Sequence, residues 1–182
     1  AKASTIAANI TLTQSTTFTI NAAITMSHAA FAINQDLTVA GNNTLTLATT
    51  TGKTADLTLS GTSGVTFSGA ATNTSGDIDI GNATTLITTG AFTYTAGNVT
   101  VGGGTSGTWT CTGGCTKALG NVIVAAGATF TLGAAFTNTD GNFTVNGNTT
   151  FAQAFTMTAG TFTLATSKTL TLTANIDFAS GC

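Results

Sequence analysis

The chain repeats itself about every 20 residues, and that period decides what it can fold into. Apolar–Thr–apolar triplets begin at Phe18, Leu37, Leu57, Ile78, Val99, Val122, Phe143 and Phe162, in steps of 19, 20, 21, 21, 23, 21 and 19 residues. Their third residues are Ile20, Val39, Leu59, Ile80, Val101, Val124, Val145 and Leu164. The middle residue is Thr in six of the eight, with Asp79 and Ile123 as exceptions. Such a triplet puts two apolar side chains on one side of an extended chain and the middle residue on the other. Two further apolar series share the period. One runs through Ile24, Leu45, Val65, Leu86, Trp109, Phe130, Phe151 and Leu170. The other runs through Ile10, Phe31, Phe92, Phe136, Phe155 and Ile176, and thins at Thr51, Ala71 and Cys115. The pattern predicts an all-β chain: a parallel β-solenoid of about eight three-sided rungs, forming a single domain over 1–182.

One rung alone encloses no core. Stacking rungs places Phe on Ile on Val in continuous internal ladders, and each backbone N–H and C=O finds a partner in the rung above or below. The chain has no Pro, which would remove a ladder donor. Gly stands before many first-face triplets, at Gly76, Gly97, Gly120, Gly141 and Gly160. These read as corners that need positive φ. No long stretch carries a 3.6-residue period, and β-branched Thr dominates, so no helix is expected.

Composition narrows the functional classes. Only 5% of the residues are charged, there is no Arg or Glu, and the net charge is −2. That balance gives no electrostatic reason to expect nucleic acid or an anionic membrane surface as partner. No apolar run approaches the roughly 20 residues of a membrane helix. Catalysis is not expected. The single His, His28, reads as a corner or surface residue, and the six Asp are dispersed. Asp56, Asp77 and Asn98 share a phase, which suits either turn-stabilising side chains or a weak Ca²⁺ site. No cofactor motif is present; Gly102-Gly103-Gly104 lacks the Lys and the helix of a phosphate loop.

Three cysteines remain. Cys111 and Cys115 either close a small disulfide loop or stand as free thiols at a bulged corner. Cys182 is left over, as a reactive thiol or an intermolecular partner. Seven positions fit the N-glycosylation pattern: Asn9, Asn42, Asn73, Asn82, Asn98, Asn142 and Asn148. On the second face, Thr44 and Thr46, Thr108 and Thr110, Thr129 and Thr131, and Thr169 and Thr171 form outward pairs, interrupted at Gly64, Ile87 and Ala152. This array resembles the ice-binding face of β-solenoid antifreeze proteins. Thr is also a common outward strand former, which accounts for the pairs without any ligand.

The A-G-N-V-T-V and D-G-N-F-T-V coils at 96–101 and 140–145, with their relatives along the chain, resemble the repetitive β-solenoid regions of secreted microbial surface proteins. These include filamentous-haemagglutinin-like adhesins, autotransporter passengers and repeat-built filaments or sheaths. The resemblance implies an extracellular, cell-surface structural or adhesive role. Uncovered strand edges invite a further chain, and a head-to-tail interface that does not close makes filaments. The expected partner is therefore the chain itself, with Ile176, Phe178 and Cys182 of one copy meeting Ile6, Ile10 and Leu12 of the next. An ice-binding module and an adhesin segment that binds surface glycans are the alternatives.

Overall fold

The computed structural model describes the strand backbones from Ser4 to Phe178, and whole residues from 77 onward except 104, 105, 148 and 181. Before 77, side chains are described at Leu59, Val65, Thr66 and Phe67. The chain is a parallel β-solenoid. Its three sheets hold nine, nine and eight strands, and each strand pairs with the strands three places before and after it in the chain. The residues described with both strands and corners make about five turns, fewer than the eight read from the sequence. The strand backbones carry the same three ladders further, through the coils whose corners are not described.

The first-face ladder stands as the triplets predict. Val99 pairs with Val122, Val122 with Phe143, and Phe143 with Phe162, all in parallel register. Val99, Val101, Val122, Val124, Phe143 and Val145 are fully buried. The two exceptional middle residues, Asp79 and Ile123, still point outward. Alternation, not polarity, therefore decides the facing.

Two register assignments differ from the sequence reading. Phe151 does not continue the Trp109–Phe130 column. It pairs with Leu132 and Leu172, and Leu170 pairs with Thr149. The cause is corner length. Six positions separate Val124 from Phe130, but only four separate Val145 from Thr149. The apolar count was right, and the frame moved by two. Thr149 is consequently buried in a column of large residues, and its hydroxyl has no hydrogen-bond partner among the described residues. On the third face, Thr50 rather than Thr51 pairs with Phe31 and Ala71, because the strand Thr50–Lys53 carries a register shift.

The core is strongly aromatic. Phe136 and Phe155 stack at 5.5 Å and 2°, and Phe143 meets Phe136 and Phe155 edge-on at 5.8 and 5.1 Å. Trp109 lies 4.9 Å from Phe130. Such pairs add about 0.5–1.5 kcal/mol each beyond area burial.

The corners are ladders as well. Gly97, Gly120, Gly141 and Gly160 have φ between 90° and 109°. A Cβ on Gly141 would collide with the Gly120 carbonyl, and one on Gly120 with the Gly97 carbonyl. Beside them runs a column of side-chain acceptors. Asp77 Oδ1 accepts from the Asn98 amide at 2.8 Å, Asn98 Oδ1 from Asn121 at 3.1 Å, Asn121 Oδ1 from Asn142 at 3.0 Å, and Asn142 Oδ1 from Thr161 at 3.1 Å. Parallel pairing thus continues past the strand ends.

Candidate functional site

Three features stand out: an outward Thr face, an uncovered apolar coil and a polar column inside the core.

The second-face sheet has the longest strands, with five residues at Thr84–Thr88 and Gly107–Cys111. A longer strand presents two outward columns where a triplet presents one. In one column Thr66, Ile87, Thr110, Thr131, Thr150 and Thr171 align in register, and the backbones of Thr5, Thr25 and Thr46 continue the same pairing. The other holds Thr85, Thr108 and Thr129, and the backbones of Thr44 and Gly64 pair in the same register. Gly64 and Ile87 interrupt the array as expected. Ala152 does not belong to it; the same two-residue shift that moved Phe151 puts Thr150 in the column. The Thr array is more continuous than the sequence spacing indicated.

The last coil comprises Phe162–Leu164, Leu170–Leu172 and Ile176–Phe178. Its inward-facing residues have neighbours on one side only. Leu164 is 38% exposed, Leu172 41% and Phe178 43%. Phe178 leans on Phe162 at 5.5 Å and, with Thr161 and Cys182, lines an open cleft. Cys182 is a free, exposed thiol that donates to the Met157 carbonyl at 3.2 Å. Of the candidate contact residues, Ile6, Ile10 and Leu12 are described as backbone only. Ser4–Ile6 lies in the sheet of Leu170–Leu172, and Ile10–Leu12 in that of Ile176–Phe178, at the opposite edges.

Cys111 and Cys115 form a disulfide with Cα atoms 6.3 Å apart. Both are buried, one ending the second face and the other opening the third. Of the sequons, Asn82, Asn98 and Asn142 lie exposed at corners. Their side-chain oxygens already accept backbone N–H groups, Asn82 from Ser106 at 3.3 Å. Asn73 ends a strand and pairs in register with Tyr94. Asn9, Asn42, Asn148 and His28 lie outside the described residues, as does Asp56. Asp77 and Asn98 serve the corner ladder. No group of three or more metal-ligating side chains gathers among the described residues.

The sequence reading missed the interior polar column. On the third face Tyr94, Lys117 and Asn138 stand one above another in register. All three are fully buried. Each reaches a carbonyl of the corner that follows it. Tyr94 donates to Asn98 O at 2.9 Å. Lys117 Nζ donates to Leu119 O at 2.7 Å and to Gly120 O. Asn138 Nδ2 donates to Gly141 O at 2.9 Å. The Lys117 ammonium also lies 5.7 Å from the centre of the Tyr94 ring. Burial draws its pKa down to about 8, against a smaller opposing pull from the Asp140 carboxylate. The signal was present in the sequence: the triplets F-T-Y, C-T-K and F-T-N end on polar residues where an apolar one is due.

No protein family, curated protein or solved structure matches the chain.

Proposed function

We propose that this chain is an extracellular structural protein whose coil stacks join end to end into a filament or sheath at the cell surface. The observation that carries the reading is the stacking itself: coil covers coil through three parallel sheets, and Leu164, Leu172 and Phe178, which hold core positions, are more than a third exposed in the single chain, so a coil of a second copy can cover them by the same pairing. The occupant that fits is the first coil of a second copy, whose strands Ser4–Ile6 and Ile10–Leu12 belong to the same two sheets at the opposite edge. Covering those residues removes apolar surface from water, at about 25 cal/mol per Å². The Cys111–Cys115 disulfide fits an oxidising, extracellular setting. The test is negative-stain microscopy of the purified chain beside Ile10→Lys and Phe178→Lys. Filaments are expected from the unaltered chain, and folded monomers from both variants. A native protein that stays monomeric at high concentration overturns the reading.

A second reading, ice binding, is favoured by the register-aligned Thr column of the second face. Hydroxyls and methyls repeated at the interstrand step can order water at a fixed repeat. Thr110→Tyr with Thr131→Tyr should then abolish thermal hysteresis and leave the rod folded. Absence of hysteresis in the unaltered protein removes this reading.

A further inference from the structure

We propose that Lys117 and Asn138 are the two halves of an intramolecular isopeptide cross-link that joins successive coils through their side chains. Three observations place the pair. Lys117 and Asn138 are directly opposite one another in adjacent parallel strands, so their Cα atoms are one interstrand step of about 4.8 Å apart. Both side chains are fully buried and turn toward the same corner, Lys117 to the Gly120 carbonyl and Asn138 to the Gly141 carbonyl stacked on it. The Asn138 Oδ1 has no hydrogen-bond partner among the described residues, so the carboxamide is held by its nitrogen alone.

The chemistry is a transamidation, balanced without any oxidant or cofactor. The neutral Lys117 amine adds through Nζ to Cγ of Asn138. One proton passes from Nζ to Nδ2, the Cγ–Nδ2 bond breaks, and ammonia leaves. A secondary amide remains, with one N–H on Nζ. Burial supplies the nucleophile. With a pKa of about 8, roughly a tenth of the amine is neutral at pH 7, far more than for a solvated lysine. Burial also supplies the driving force. The product replaces a desolvated ammonium with a neutral amide, and it excludes the water that would compete for Cγ. In a solenoid such a bond ties coil to coil, the direction in which the stack is otherwise held by hydrogen bonds and packing.

The test is the intact mass of the purified chain, followed by chymotryptic mapping. The expected result is a mass lower than the sequence mass by one ammonia beyond the disulfide's two hydrogens. A branched peptide should join Lys117 to Asn138. Asn146-Gly147 can also lose ammonia by forming a succinimide, so Lys117→Met is the control. The loss must vanish in that variant and in Asn138→Ala. The unaltered chain decides even where a variant fails to fold. A full sequence mass, or a loss that maps to Asn146, overturns the proposal.

Discussion

Phe143-Thr144-Val145 and Phe162-Thr163-Leu164 are nearly the same triplet, one coil apart and paired residue for residue. In the first, both apolar residues are fully buried; in the second, Phe162 is half-buried and Leu164 is 38% exposed. Nothing in the local sequence distinguishes them. Phe143 has coils on both sides, touching Phe130, Phe136, Phe151, Phe155 and Phe162, whereas Phe162 has its stacking partner Phe143 on one side only. In a stack of this kind burial belongs to the neighbour, and each coil's stability is a nearest-neighbour quantity.

The largest effect should come from breaking the better-covered member. Phe143→Ala should cost about 3–5 kcal/mol in chemical denaturation, and Phe162→Ala distinctly less. Equal costs would mean that the last coil is already covered, as it would be within a filament, and repeating the pair below the assembly concentration separates the two cases. Next come the corners. Gly141→Ala should cost about 2 kcal/mol, combining a positive φ with a Cβ driven into the Gly120 carbonyl. Gly160→Ala meets the Gly141 carbonyl in the same way, but its coil can yield outward, so its cost should be smaller.

A smaller, pH-dependent effect comes from Lys117. Its folded pKa of about 8 lies below the ordinary 10.5, so between those values the unfolded chain holds a proton that the folded chain has released. Stability should therefore rise with pH through that window, and the penalty of burying the ammonium is fully present below about pH 8. The gain should be on the order of 1 kcal/mol. It is best measured in Asn138→Ala, where no cross-link forms, against the same variant carrying Lys117→Met, which retains Tyr94 and Asp140. No difference between the two curves would remove the buried amine from the account. The smallest effects should be at Thr144→Ala and Thr163→Ala, each below about 0.5 kcal/mol and equal to one another. An outward Thr does not register how many coils cover its sheet. A difference between the two would tie the outward columns to the packing inside.

Much of this architecture was legible in the residues. The Phe-Thr-Val triplets announce two-residue alternation, their spacing announces coils, and Gly120-Asn121 and Gly141-Asn142 announce corners. Phe151 and Ala152 were misplaced because apolar spacing cannot see a corner that is two residues shorter. Lys117 was passed over because charged residues are usually read as surface, although its place as the third residue of the C-T-K triplet already set it on the inward side. Phe178 was read as a contact residue from the pattern, whereas Leu172 was not singled out, because the apolar ladder was counted through Leu170; how far each is exposed depended on the packing.

The sequence by itself determined the period, the inward and outward sides of each strand and the places where the backbone must turn left-handed. Those properties depend on φ/ψ preference and side-chain alternation within a few residues. The tertiary structure alone decided which residues of successive coils share a column. That choice is made by corner lengths and by contacts between residues about 20 positions apart. It turned scattered Thr pairs into a nearly unbroken file, and it set Lys117 beneath Asn138 in the core.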